Sequence, residues 1–404
     1  MFKSFIYNLL EKRHYWRYAS FSEIAELYTS RTLRTIAIHL ASGFASVYLY
    51  QTGYSLTWII TMWLVYFAAK IPMSFFAGHI AAWFGPKHGI LLSNILAIPA
   101  MAVFGFVPVI GENAIFVWLG LSCLSAAIYQ ICYTIDFSKI KNAEHAGKEI
   151  AFMNILDKVA VGVSPLIGGV VALFFGPQVI MWVAAVFYLV AAIPLLLTAE
   201  PLRIYQRLAY RGFRWRLAFR NIFSQIGIGF DVVTTGTIWS LFIAIIIFPN
   251  EGDEVYVLLG GLSSVTIIAA ILTSYAYGKL IDRRRGRLLM RISVIGNALV
   301  HLSRPFASTP VSIVGTNIVN EVATMGYVMP YTRGVFDTAD ISGYRILYVT
   351  VMEALANIGA VIACITTLVL IGLSSGPQGL HTFFFVAAGF VLLIGTASFR
   401  LYRK

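Results

Sequence analysis

The sequence predicts an all-α membrane protein: twelve transmembrane helices in two pseudo-symmetric six-helix bundles, a 6+6 arrangement. Three observations predict it. About twelve apolar segments run through the chain, each roughly 20 residues or more, the length of helix that crosses a hydrocarbon core. Of the 30 Lys and Arg residues, all but Lys70, Lys158 and Arg304 lie at the two ends or in alternate loops and their flanks. Short stretches of the second half also repeat stretches of the first. Composition agrees: the chain is 59% hydrophobic and 12% charged, whereas a soluble domain is about half apolar and about a quarter charged.

In chain order, the arm 1–31 is basic and polar. Glu11 to Arg17 is too polar for the apolar core of a signal peptide. Residues 21–28, Phe-Ser-Glu-Ile-Ala-Glu-Leu-Tyr, read as a short amphipathic helix at the membrane interface. The N-terminal bundle occupies 32–198, with spans at 32–50, 56–79, 89–109, 114–134, 149–174 and 177–198. A linker, 199–223, carries Arg203, Arg207, Arg211, Arg214, Arg216 and Arg220 interleaved with Tyr205, Tyr210, Phe213 and Trp215. That pattern fits a basic helix lying on an anionic leaflet, and no nucleic-acid partner is expected. The C-terminal bundle and a short tail occupy 224–404, with spans at 224–248, 254–277, 287–306, 309–332, 345–373 and 379–399. The acidic cluster Glu251, Asp253 and Glu254 falls in an external loop. Loop Lys and Arg favour the cytoplasmic side, so both termini and the linker are expected in the cytoplasm, with the chain in the cell (plasma or inner) membrane. Cys123, Cys132 and Cys364 lie inside spans without metal-ligand spacing and read as buried thiols.

The repeat is visible in two places. Gly78-His-Ile-Ala-Ala-Trp-Phe-Gly-Pro-Lys87 follows the second span, and Gly278-Lys-Leu-Ile-Asp-Arg-Arg-Arg-Gly-Arg287 follows the eighth. Lys148 to Asp157 likewise pairs with Tyr344 to Glu353. Matches in one order suggest a duplicated six-helix unit, with the site between the halves. At these residues the chain resembles the major facilitator superfamily, whose loop between helices 2 and 3 carries G-x-L-x-D-R-x-G-R-R. The second copy here keeps Gly278, Leu280, Asp282 and Arg283, with one extra residue before Gly286. The first keeps Gly78, Phe84, Gly85 and Lys87 but has Ala82 where the family usually has aspartate, so any latch there must be built otherwise. The resemblance implies that helices 1, 4, 7 and 10 line a cavity and that helices 2, 5, 8 and 11 form the seams between halves. Ala160-Val-Gly-Val-Ser-Pro-Leu-Ile-Gly-Gly169 is a degraded match to a drug-antiporter pattern on helix 5. It reads rather as small residues for close packing with a bend. The fourth span lacks the arginine those antiporters usually carry.

Ionisable groups inside spans are functional candidates by default. They are His39, Lys70, Asp157, Lys158, Asp231, His301, Arg304, Glu321 and Glu353. Glu321 is the first candidate for a coupling proton, because Asn317, Asn320, Glu321 and Thr324 share one helical face. A charge pair is expected between Lys70 and Glu353, which stand at similar depth on helices 2 and 11. Asp157, Asp231 and His39 are further proton-coupling or gate candidates, each with a structural alternative. Tyr129, Gln130 and Tyr133 of the fourth span, with Thr235 and Trp239 of the seventh, are substrate-cavity candidates. Arg304 is expected to snorkel toward the outer surface, on a ninth helix that the resemblance makes peripheral. Hydrolase, zinc-protease and phosphate-loop motifs are missing from the sequence, so no enzyme, cofactor or metal is expected.

The expected function is secondary active transport of a small organic solute by alternating access, as a monomer coupled to protons. An aromatic, weakly charged cavity leans the direction toward efflux of amphipathic compounds. Proton-linked uptake of a neutral polar nutrient such as a sugar is the alternative, and a non-transporting receptor or scaffold is the rival class.

Overall fold

The computed structural model describes residues 21–140, 146–197, 208–248, 258, 261–262, 266–283, 285–374 and 376–402. Arg203, Tyr205 and Arg207 of the linker, Glu251, Asp253 and Glu254, and the side chains of Ser42, Lys148 and Pro165 lie outside the described residues. The described residues form helices, with no strand among them. In order these are α1 (Phe21–Gln51), α2 (Leu56–Phe84), α3 (Pro86–Phe104), α4 (Glu112–Ile140), α5 (Ala146–Phe175) and α6 (Pro177–Ala192). After the linker come α7 (Ile222–Ile247), α8 (Thr266–Asp282), α9 (Gly286–Ser303), α10 (Pro310–Ser342), α11 (Arg345–Leu373) and α12 (Gly379–Val391).

Eight of these, α2 to α7 with α11 and α12, are long and apolar enough to cross a membrane. The others fall short for local reasons. α1 and α10 carry polar and charged residues described below, α9 opens with Arg287 and Arg291, and α8 is described only from Thr266. Large apolar side chains such as Phe174, Val186, Leu189 and Leu299 point outward. Such a surface suits lipid rather than water, and helices are structures that satisfy their own backbone there.

Helix ends follow local chemistry. Ser55 caps α2 by accepting from the Trp58 N–H. Thr309 and Ser312 form a reciprocal capping box at α10, which stops at Gly343 in the left-handed conformation. Gly85, at φ +85°, alone separates α2 from Pro86 at the start of α3.

The short interfacial helix expected at 21–28 does not stand apart: those residues are the first turns of α1. No Gly or Pro interrupts the chain from Phe21 to Ser42, and the segment has partners inside the bundle. Lys87 Nζ donates to Glu26 Oε2 at 2.8 Å, with both side chains buried. The expected linker helix is also corrected in its described part. Before α7 begins at Ile222, only Trp215–Phe219 is helical there, Phe213 is buried against Tyr344, and Arg220 donates to Ser398 Oγ at 3.2 Å.

Packing repeats with a period of six helices. α1 packs on α5 and α6, α2 on α4, and α3 on α4 and α6. Correspondingly α7 packs on α11 and α12, α8 on α10, and α9 on α10 and α12. Across the two sets, α2 meets α11 and α5 meets α8.

Candidate functional site

A cavity of about 530 Å³ lies between the two sets of helices. Its wall includes Arg34, His39, Trp63, Tyr66, Lys70, Trp118 and Lys158 from the first set, and Thr235, Trp239, Arg304, Asn317, Asn320 and Glu321 from the second. α7 reaches it through two π-helical stretches, Thr234–Ile238 and Ile243–Ile247, a widened geometry common at functional sites. Trp239 Nε1 donates to Asn317 Oδ1 at 2.8 Å, tying α7 to the polar face of α10.

Two ion pairs join the sets. Lys158 Nζ on α5 lies 2.9 Å from Glu321 Oε1 and donates to Oε2 at 3.1 Å. Lys70 Nζ on α2 lies 3.3 Å from Glu353 Oε1 on α11, which also accepts from Asn357 Nδ2 at 3.3 Å. A third pair stays within the first set: Arg31 engages both carboxylate oxygens of Asp157, at 2.6 to 3.0 Å, and stacks 3.9 Å from the Tyr133 ring. His39 lines the cavity on the same helix.

Arg304 and His301 depart most from expectation. Arg304 does not snorkel outward; it is fully buried and lines the cavity. Three partners hold it inside. Its Nη1 meets His301 Nδ1 at 3.0 Å, its Nη2 donates to Asn320 Oδ1 at 3.1 Å, and its guanidinium lies 4.9 Å from the Trp239 ring. Arginine only donates, so His301 Nδ1 accepts, and His301 Nε2–H donates to Asp231 Oδ1 at 2.6 Å. Tyr327 donates to the other oxygen of Asp231. Asp231 is thus the buried end of a chain spanning α7, α9 and α10, set behind the cavity wall.

Other candidates move too. Tyr129 and Tyr133 are buried behind the wall, with rings stacked 5.5 Å apart, Tyr129 beneath Arg34 and Tyr133 beneath Arg31. Gln130, one residue round the helix, is exposed on the outside of α4. Neither these three nor Thr324 belongs to the cavity lining. Sequence reasoning misses Arg34, which reads there as a flank charge. It is 2% exposed, donates to Ser93, Asn94 and Ser125, and stacks 3.9 Å from the Tyr129 ring. Its signal is position: it falls inside the first predicted span. A weakly charged cavity is likewise corrected, since Arg34, Lys70, Lys158 and Arg304 all line it.

At the end bearing the repeated loops, Asp282 accepts from Arg333 of α10 at 2.8 Å. The first copy has buried Ala82 at the aspartate's place, and Lys87 uses Glu26 of α1 instead. Gly278 and Arg283 flank Asp282 in α8 and its loop, while Gly78 abuts Thr350 of α11, across the seam.

A helical bundle that faces lipid and encloses a polar cavity with charged walls has the form of a membrane transport protein. The family model of the Major Facilitator Superfamily matches residues 27–339, and the chain belongs to that superfamily. It is therefore a multi-pass membrane transporter rather than an enzyme. Among solved structures, the human organic anion transporter MFSD10 (TETRAN) is similar at a TM-score of 0.69 and 11% identity, covering 93% of this chain and 99% of that one. FucP in its outward conformation is similar at 0.64 and 12% identity, covering 93% and 98%. A variant form of the E. coli fucose:proton symporter FucP is similar at 0.63 and 12%, covering 93% and 98%. No curated protein sequence matches the chain.

Proposed function

We propose that this protein is a secondary active transporter that moves a small organic solute by alternating access and couples the movement to protons. In this reading twelve helices cross the membrane as two six-helix bundles, 32–198 and 224–404, joined by the linker 199–223, with both ends cytoplasmic. The arm 1–31 contributes the first turns of α1. The carrying observation is the pair of ion bridges, Lys158–Glu321 and Lys70–Glu353, that cross between the bundles beside one cavity.

The physics follows from burial. Two opposite charges in a low-dielectric seam hold the bundles together only while both remain charged. A proton taken up by Glu321 leaves Lys158 without its counter-ion and weakens the seam on that side. A proton gradient can thereby bias which side of the cavity opens. The folds similar to this one include an organic anion transporter and a fucose:proton symporter, so the fold alone does not select a solute or a direction. With Arg34, Lys70, Lys158 and Arg304 in its wall the cavity is not weakly charged, so its lining does not favour efflux of amphipathic compounds over uptake.

Glu321→Gln tests the coupling. In proteoliposomes the variant is expected to exchange solute across the membrane yet fail to accumulate it against a gradient. Normal, pH-dependent accumulation by Glu321→Gln would remove Glu321 from the coupling path. Absence of any flux in the wild-type protein would favour the scaffold class instead.

A further inference from the structure

Four cations line the cavity, and they are not alike. Lys70 and Lys158 each face a carboxylate, Glu353 and Glu321. Arg304 is answered at one remove, through His301, by Asp231. Arg34 has no such answer. All its hydrogen-bond acceptors are neutral: Ser93 Oγ at 3.2 Å, Asn94 Oδ1 at 2.6 Å and Ser125 Oγ at 3.1 Å. The Tyr129 and Tyr188 rings lie 3.9 and 5.1 Å from its guanidinium carbon. Its Nε is buried without a hydrogen-bond partner, as is that of Arg304. Among the described residues no carboxylate forms a salt bridge with Arg34.

A buried guanidinium with only neutral partners is costly, and the cost falls when an anion arrives. Its planar fork suits a carboxylate better than a point charge would. The held position also matters. Asn94 and the two serines fix the fork from one side and Tyr129 from another, so little side-chain freedom is lost on binding. The same cavity offers Trp63, Tyr66, Trp118 and Trp239 as apolar walls, and its volume lies in the range that encloses a drug-sized solute.

We propose that the transported solute is an organic anion: a carboxylate seated on Arg34, with an apolar, aromatic-compatible body along the tryptophan wall and Arg304 on the far bundle drawing the same charge. A neutral sugar-like solute would leave Arg34 without a counter-ion in both the empty and the loaded protein. The inference rests on the transporter reading but is tested by equilibrium binding, without flux.

The test uses three compounds that share one ring system: 2-naphthylacetate, its amide and 2-naphthylethylammonium. Each is titrated at millimolar concentration into the purified full-length protein, and the thermal midpoint is followed, since a ligand of the folded state raises it by mass action. The acid is expected to stabilise and the amide and ammonium to leave the midpoint unchanged. Arg34→Gln should weaken the acid's apparent affinity by about tenfold or more, and Arg34→Lys by less. Equal stabilisation by all three compounds, no stabilisation by the acid, or full retention of its effect in a folded Arg34→Gln protein would each overturn the proposal. The wild-type comparison stands even if the variants fail to fold. Binding of the acid with no flux would sink the transporter reading alone; flux of neutral solutes without anion binding would sink only this one.

Discussion

Lys70 lies 14 residues before Phe84, the end of α2, and Glu353 eight residues after Arg345, the start of α11, so they stand about 21 Å and about 12 Å along their helices from the end bearing the repeated sequences. That depth makes an unpaired charge expensive, and removing one partner of a buried pair costs about 3–5 kcal/mol. Lys70→Ala and Glu353→Ala are each expected to impair transport, and the exchange Lys70→Glu with Glu353→Lys should recover part of it. Solute uptake by the four proteins, normalised to folded protein, measures this; an exchange variant no better than either single change would argue against direct pairing during the cycle. Residues of this kind are legible because an ionisable group in an apolar run stands out. Arg34 as a buried group and the inward turn of Arg304 are not, for a reason that is also physical. Each lies within a turn or so of a predicted span end, where a long side chain can reach water. Only the neighbours, Asn94 and Ser93 for one and His301 and Asn320 for the other, turn it inward. Gln130 shows the converse: polarity marks it as a cavity residue, but Tyr129 and Tyr133, four apart, share the inner face and leave it outside.

Between elements, the closest approach tested by glycine is α7 against α11. A Cβ added to Gly229 would stand 1.7 Å from the Ala356 carbonyl oxygen, and one added to Gly359 would stand 2.0 Å from that of Ile226. Each helix therefore fits its backbone against the other only where the side chain is missing. Gly359→Leu is expected to cost about 3 kcal/mol or more, through overpacking against a backbone that cannot yield. Gly372→Ala on the same helix, where nothing lies within 4 Å, should be tolerated. Size-exclusion profiles and thermal midpoints of the two variants separate the outcomes; a Gly359→Leu protein as stable as wild type would show that α7 and α11 can part at no cost. Hydropathy finds the apolar middle of these helices but not their ends. α4 runs from Glu112 to Ile140 rather than 114–134, and α1 begins at Phe21 rather than 32. Polar ends continue as helix because ion pairs such as Lys87–Glu26 and Arg31–Asp157 hold them within the bundle. No apolar periodicity records such pairs. The helix-5 motif fits the packing alternative: a Cβ on Gly168 would lie 3.3 Å from the Leu40 carbonyl oxygen of α1.

Across the whole molecule, the duplication seen in two short sequence matches reappears as packing: every helix contact named for the first six recurs for the last six. Such a repeat fixes which ends lie on the same side. The turn at Gly85 and the turn after Asp282 must share a face, and the described part of the linker, where Gly212 abuts Tyr344, lies at it. Which face that is depends on charge alone. Lys87, Lys279, Arg283, Arg285 and, in the described part of the linker, Arg211, Arg214, Arg216 and Arg220 belong to that face, while Glu251, Asp253 and Glu254 fall in sequence at the opposite end of the spans. In the orientation proposed above, retention of loop Lys and Arg on the cytoplasmic side puts the linker inside. The three native cysteines are free and buried, so an engineered thiol reports with little background. In intact cells an impermeant thiol reagent is expected to label a cysteine at Asn250 and to miss one at Gln206 until the membrane is permeabilised. The reverse pattern would invert the orientation. It would also turn the end of α11 nearer the Lys70–Glu353 bridge, eight residues from Glu353, toward the outside rather than the cytoplasm.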